Sequence, residues 1–434
     1  MAATSSSRSF PLERYYMPMF LVGILLLLAP GIVKTYLLMP FPGSQELDSI
    51  EMAYLLNGWS TPLQIIGLLL VIGPIVKGFI TGTILRRISI VMFSVFCFVV
   101  FYFTTIAASA ANIFREPSSL RMAAPADNRV PLETVVIGIE HNGVAKAYPL
   151  NYLAYHHRVS DSIGALKLWA TYCSMCRTGA VYQPVVDQQP LTFRLVGANH
   201  YNAVFEDEAT GSWWYQATGE AATGPMKGKR LPIVPSEQMT LKLWLEQHPN
   251  SLIAQPDGAE YSREGYQQTE GYDRFQPKKE GWQPNSWVVG IAVGNASKAY
   301  LWQGVVAARV VNDLVGAQPV AIVAAPDSVS FTAWQRTLNG QQLTFALDST
   351  RTRLTDTQTN SIWNWNGECV EGTYAGQKLP PVAASQLYWH AWQTFHPGTE
   401  KWEILTAKRF AKIRARGNSG LEVSLTLGGT PQYR

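Results

Sequence analysis

The 434-residue sequence predicts three N-terminal transmembrane α-helices followed by a mainly β (β-rich α+β) soluble module of two tandem homologous repeats. Three observations carry this prediction. Apolar residues pile up before about residue 111 in three runs long enough to cross a bilayer. Beyond that point the chain reads as globular, with short β-like runs separated by turn residues. One block of the globular part recurs 152 residues later without a gap (290 − 138).

A membrane span needs about 20 mainly apolar residues. The first candidate runs from about Met17 to Met39, the second from about Pro62 to Leu85, and the third from about Ile88 to Ala111. A cleaved signal peptide would be shorter and would not be followed by two more spans. Pro30 and Pro74 fall inside the first two spans, where neighbouring groups can re-satisfy the freed backbone. Lys34 and Lys77 read as snorkelling or interhelical polar contacts rather than intramembrane functional charges. Orientation follows from the short loops. Arg8 and Arg14 precede the first span, the loop Pro40–Thr61 carries Glu46, Asp48 and Glu51 but no Lys or Arg, and Arg86-Arg87 form the turn before the third span. This places 1–16 in the cytoplasm and everything after the 17–111 anchor outside, with a connector at 112–127. Arg115 and Arg121 run against that orientation. In a bacterium the protein would be a multi-pass inner-membrane protein with a periplasmic domain, its first partner being the lipid bilayer.

The repeat is read from matches in register. Gly138-Ile139, Lys146-Ala147-Tyr148, Val159, Asp161, Gly164-Ala165 and Leu191-Thr192-Phe193 recur as Gly290-Ile291, Lys298-Ala299-Tyr300, Val311, Asp313, Gly316-Ala317 and Leu343-Thr344-Phe345. After a three-residue loss, Asp207, Thr210, Ser212 and Trp214 match Asp356, Thr359, Ser361 and Trp363. One further loss brings Trp244 and His248-Pro249 onto Trp392 and His396-Pro397, at an offset of 148 (396 − 248). Repeat 1 spans 128–257, a Gly/Tyr/Gln-rich linker 258–283, repeat 2 284–398, and a tail 399–434. In that tail Lys408, Arg409, Lys412, Arg414 and Arg416, interleaved with Phe410 and Ile413, predict an amphipathic terminal helix. Short helices are predicted near Asn151–His157 and Thr240–Gln247, and the two β units are expected to pack about a pseudo-twofold axis. A net charge of +4, with no Lys/Arg run of the kind that binds nucleic acid, predicts no nucleic-acid partner.

Residues shared by both copies are explained by the fold. Gly219, Gly224 and Gly228 recur as Gly367, Gly372 and Gly376 and read as turns rather than a phosphate loop. Asp161 and Asp313 are expected to bond turn backbone, and the paired tryptophans to fill the core. Residues found in one copy only are not required by the fold as such. Cys173 and Cys176 face Ala325 and Ser328, His156 and His157 face Ala308 and Arg309, and Arg177 faces Val329. The segment Asn199-His200-Tyr201 also belongs to the first copy alone. Three readings of Cys-x-x-Cys stay open. Two thiolates on one turn can clamp a soft metal, copper or zinc, with His157 and, more weakly, Met175 or His200 completing the set. They can form a structural disulfide in an extracytoplasmic compartment, which leaves an interaction or assembly module with repeat 2 as a protein-partner surface. They can also act as a redox dithiol, though such pairs usually open a helix, and RTGAVYQPVV reads as strand. Cys97 is expected to be a buried small hydrophobe.

These residues resemble an uncharacterised bacterial and archaeal family of domains of unknown function. Its pattern is met by His157-Arg158-Val159-Ser160-Asp161, Tyr172-Cys173-Ser174-Met175-Cys176, Asp207 to Trp214, Gly219-Glu220 to Gly224, and Trp244 to His248-Pro249. The family usually has Pro-Leu between the cysteines and Asn before the Asp, where this chain has Ser174-Met175 and Ser160. The second copy keeps Asn312-Asp313 and lacks the cysteines, so by the same standard it is degenerate. The resemblance groups Cys173, Cys176 and His157 as one constellation and implies no activity.

Overall fold

A computed structural model describes residues 15–114, 117, 119–256, 281–350 and 353–402. The terminal arm, most of the expected linker and the expected amphipathic tail helix lie outside the described residues. The chain divides into two compact units, one of residues 1–115 with 186–230 and the other of 116–185 with 231–434.

The first unit holds three helices long and apolar enough to cross a membrane: α1 (Tyr16–Leu38), α2 (Ile50–Thr81) and α3 (Ile84–Tyr102), the last continued by a π turn at Phe103–Ala107. α1 and α2 approach closely at glycines. A Cβ on Gly67 would lie 2.6 Å from the Leu27 backbone nitrogen, and one on Gly23 2.6 Å from Val71 Cγ1, the small-residue contact usual between membrane helices. Two expectations need correcting. α2 begins at Ile50 rather than near Pro62. At ~1.5 Å per residue its 32 residues span about 48 Å, longer than the ~30 Å hydrocarbon layer. Pro62 and Pro74 both lie inside it without ending it. The third span stops at Ala107 rather than Ala111, and a separate helical turn follows at Ala110–Ile113.

The same unit carries a four-stranded antiparallel sheet of Phe193–Asn199, Asn202–Asp207, Trp213–Tyr215 and Ala221–Thr223. It packs on the ends of α1 and α2 that flank residues 39–49. Leu37, Leu38, Ile50 and Ala53 share one buried cluster with Val204 and Trp213. Glu51 pairs with Lys227 and accepts a hydrogen bond from Thr223 at 2.8 Å. Gln45 accepts one from the Tyr201 backbone N–H at 3.1 Å.

The second unit begins with β1 (Arg121–Ala123), β2 (Val135–His141) and β3 (Val144–Pro149). Asn142 and Gly143, both at positive φ (52° and 79°), close the β2–β3 hairpin as an Asn-Gly turn should. There follow α4 (Leu150–His156), β4 (Arg158–Ile163), β5 (Leu166–Cys173) and β6 (Thr178–Tyr182), then β7 (Glu237–Thr240), α5 (Leu241–Gln247) and β8 (Leu252–Gln255). Thr240 caps α5 by accepting from Leu243 N–H. Its later half comprises β9 (Trp287–Val293), β10 (Ala296–Leu301), α6 (Trp302–Ala308), β11 (Val310–Val315), β12 (Gln318–Ala324), β13 (Phe331–Gln335), β14 (Ala384–Tyr388), α7 (Trp389–Phe395) and β15 (Glu400–Trp402). A small four-stranded sheet lies between β13 and β14, from Phe345–Leu347 to Cys369–Glu371.

An eight-stranded sheet runs β1-β8-β3-β2-β7-β13-β12-β11, a four-stranded one β14-β9-β10-β15, and a three-stranded one β4-β5-β6. Pairing in these sheets is antiparallel except at β8–β3 and β10–β15. Both faces of β2 are buried, with the two-residue period of a strand. Ile137 and Ile139 join Tyr148, Leu153 and Val181 in one core, while Val136 faces Met239 and Trp244 in another. Gly138 on that second face is dictated by close approach, since a Cβ there would stand 2.3 Å from the Trp244 ring.

Candidate functional site

Cys173 ends β5, Cys176 lies in the turn that follows, and both are fully buried. The Cys176 Sγ lies 3.7 Å from the Cys173 carbonyl oxygen. The turn docks on the later half of its unit at three points. Tyr388 N–H donates to the Cys176 carbonyl at 3.0 Å. The His390 ring hydrogen-bonds the Met175 backbone. Arg177 at positive φ (58°) is 4% exposed, lays its guanidinium 3.6 Å over the Trp287 ring and donates to Gln386 Oε1. A buried arginine is tolerated only when stacked and hydrogen-bonded in this way.

His157 caps the C-terminal end of α4 in the left-handed conformation (φ 63°), and its carbonyl accepts from Tyr172 N–H at 3.1 Å. The backbone of His157 therefore lies beside the strand that ends in Cys173. Its ring turns back toward α4, against the backbone of Ala154 and Tyr155, and burial pushes its pKa down to about 4. His156 is also buried, packed edge-on against Tyr152 and Tyr155.

Residues 117–399 match a family described as a protein of unknown function, DUF3179. The chain belongs to the DUF3179 family. No curated protein and no solved structure matches it.

Among the described residues of this DUF3179 member, no three His, Cys, Asp or Glu side chains gather as metal ligands would. Cys173 and Cys176 share one turn, but the structure does not bring the His157 ring to them as a third ligand. The cause is local: the αL cap aims the ring at the last carbonyls of its own helix, which stay unsatisfied by the helix itself. Met175 engages through its backbone. His200 lies in the other unit, 4.0 Å from Asp48. Full burial also removes the accessible thiolate that a dithiol oxidoreductase needs.

Two differences from the sequence reading concern partners. Asp161 accepts from the Ser162 backbone as expected, and also receives Lys146 Nζ at 2.8 Å and the Tyr148 hydroxyl at 2.6 Å. Gln386 and Trp287, which hold Arg177, were not singled out. Gln386 had one legible signal, since it matches Gln238 at the 148 offset (386 − 238).

Proposed function

We propose that this family member is a membrane-anchored, extracytoplasmic, non-enzymatic interaction module made by duplication, in which the Cys173–Cys176 turn of the first copy clasps the second. The buried Arg177, stacked on Trp287 and bonded to Gln386, carries this reading. The copies are taken as 128–257 and 284–398, joined by 258–283, behind an anchor at 17–111 and a connector at 112–127, with the tail at 399–434.

Several features support the duplication. The order β7-β2-β3-β8, with its last pairing parallel, has a counterpart in β14-β9-β10-β15. A Cβ on Gly290 would stand 2.2 Å from Trp392, as one on Gly138 does from Trp244. Asp207 receives the Thr210 N–H at 2.6 Å and Trp214 Nε1 at 2.8 Å, while Asp356 receives Thr359 N–H at 2.6 Å and Trp363 Nε1 at 2.9 Å. The two junctions between the copies also correspond: β7 pairs with β13 at Gln238–Phe331, and Ser385 of β14 donates to the Gly179 carbonyl of β6. That reciprocity supports a pseudo-twofold relation. The extracytoplasmic placement is supported by the contacts of Gln45 and Glu51 with 193–227. They put the first interhelical loop and this sheet on the same side, as three crossings from a cytoplasmic N-terminus require.

A second reading keeps the thiol pair as soft ligands for one copper or zinc ion. It is favoured by two buried cysteines, three positions apart, that one copy alone carries. Structural zinc takes four ligands, so the pair alone supplies half a site, with His157 and Met175 the nearest additions in sequence.

The test uses the full chain in detergent, purified without chelator, beside Cys173→Ser/Cys176→Ser and Arg177→Leu. The clasp reading expects no stoichiometric metal, thiols that react only after unfolding, and about 2–4 kcal/mol lost in Arg177→Leu. One equivalent of metal that disappears in the double serine variant would move the conclusion to the metal site. Unchanged stability in Arg177→Leu would sink the clasp.

A further inference from the structure

The third membrane helix touches the other two near its ends and stands off between them. Toward its C-terminal end the Thr35 hydroxyl donates to the Thr104 carbonyl at 2.8 Å, and a Cβ on Gly31 would lie 3.0 Å from Thr104 Oγ1. Toward its N-terminal end Phe93 meets Phe20 with ring centroids 5.8 Å apart, and a Cβ on Gly78 would lie 3.0 Å from Ile90 Cδ1. Between these contacts runs an apolar groove of about 370 Å³, with Leu27, Val71 and Ile75 on one side and Phe93, Cys97 and Phe101 on the other. Among the described residues of α3 only Cys97 is buried. Helices in a bilayer are held together by van der Waals packing, and over this stretch α3 supplies little of it to α1 and α2. At roughly 30 Å³ for a group the size of a water, the groove takes about a dozen methylenes. A helix is about 10 Å across with its side chains, so the groove admits a single hydrocarbon chain and not a partner helix.

The groove leads to two arginines. Its α3 wall continues toward the helix N-terminus at three- and four-residue steps, through Ile90 to Arg87 and Arg86, and its α2 wall continues from Ile75 to Gly78 and Phe79. Both guanidinium groups fold against that end of α2. Arg86 Nε and Nη2 would each lie 3.6 Å from a Cβ on Gly78. Arg87 Cζ stands 5.7 Å from the centre of the Phe79 ring, and its Nη2 donates to the Ile80 carbonyl at 3.2 Å. The sequence has no Asp or Glu from 52 to 115, so no carboxylate at this end of the helices balances the pair. From Phe93 to Arg86 is about 10 Å of helix, a stretch that the glycerol and ester groups of a lipid cover. Basic pockets between membrane helices at the bilayer surface suit anionic head groups. We propose that this groove holds one anionic phospholipid, with an acyl chain between α3 and the α1–α2 pair and its phosphate at Arg86 and Arg87.

The site rests on the proposed membrane anchor and adds the class of lipid and the place that holds it. An anchor needs only a hydrocarbon layer and is indifferent to head-group charge. The positive-inside rule accounts for an arginine pair at a cytoplasmic turn, but not for its lying at the end of an apolar groove.

Native mass spectrometry of the delipidated full chain in mild detergent, titrated with dioleoyl phosphatidylglycerol, dioleoyl phosphatidylcholine or glycerol 3-phosphate, tests the site. One phosphatidylglycerol per chain should be retained, bound roughly tenfold or more tighter than phosphatidylcholine, and glycerol 3-phosphate should not be retained. Arg86→Gln/Arg87→Gln should bring the two lipids to the same affinity. Ser94 also lines the groove. Ser94→Phe should abolish retention of both lipids by filling it, while Ser94→Ala, which leaves it open, should bind as the wild type does. Equal affinity of the wild type for the two lipids, or a preference that survives loss of both arginines, overturns the head-group assignment. Retention of glycerol 3-phosphate, unchanged lipid retention in Ser94→Phe, or lost retention in Ser94→Ala overturns the groove as the seat of the chain. A chain that stays monodisperse without detergent overturns the anchor instead, and this is seen before any lipid is added.

Discussion

His157 and Glu237 are both buried and titrate in opposite senses. The His157 pKa is held near 4, below the ordinary 6.5, because burial disfavours the imidazolium and His156 adds repulsion. Between those values the unfolded chain carries the extra proton, so the His157 contribution to stability is lost as pH falls from 6.5 through 4. The Glu237 carboxyl is raised from 4.5 to about 7. The folded state then holds the extra proton, and its contribution, present below 4.5, is lost as pH rises through 7. Glu237→Gln should therefore gain stability on the wild type between pH 5 and 8, by about 1–3 kcal/mol. Thermal midpoints of the two proteins across that range would show it, and parallel curves would contradict the buried-carboxyl account. At this scale the sequence marked Cys173, Cys176, His157 and Arg177 through contrast between copies. It could not aim the His157 ring, because ring direction depends on a backbone cap formed only when α4 ends.

Strands and helices were the more legible level. Asn142-Gly143 announces the β2–β3 hairpin, and α4 and α5 lie within a residue or so of their expected positions. The segment read as a loop up to Thr61 is helical from Ile50 onward, because a span was sought only where apolar residues are dense, whereas Ser49 starts a helix that runs on into the apolar stretch. The glycines of β2 and β9 make a paired prediction. Each lies under a tryptophan ring that cannot swing away, so Gly138→Ala and Gly290→Ala should each cost about 1–3 kcal/mol by overpacking. Denaturant midpoints with unchanged slopes would record this. A near-neutral effect at either glycine would show that the α5 or α7 tryptophan has room to move.

For the whole molecule, the anchor and the orientation rule make a topological prediction. Protease added to the extracytoplasmic side of sealed vesicles should remove the chain beyond about residue 115 and leave the Arg86-Arg87 turn intact. Cleavage of the large domain only from the cytoplasmic side would invert the orientation. Grouping at this level did not follow chain order. Residues 186–230, expected to belong with repeat 1, cluster instead with the membrane helices, through Trp213 packed edge-on to Tyr54 at 5.3 Å and through Glu51.

By itself the sequence determined the three apolar helices, the β-rich module behind them and the in-register matches that motivate the duplication, because each is written in local patterns of hydrophobicity, turn residues and spacing. Only the tertiary structure decided which residues meet. Arg177 and Gln386 are 209 positions apart, and nothing local to either names the other. Gln238 and Phe331 meet because β7 and β13 pair, and that pairing is settled by the packing of whole sheets. Burial, and with it the displaced pKa values, exists only once those sheets have closed.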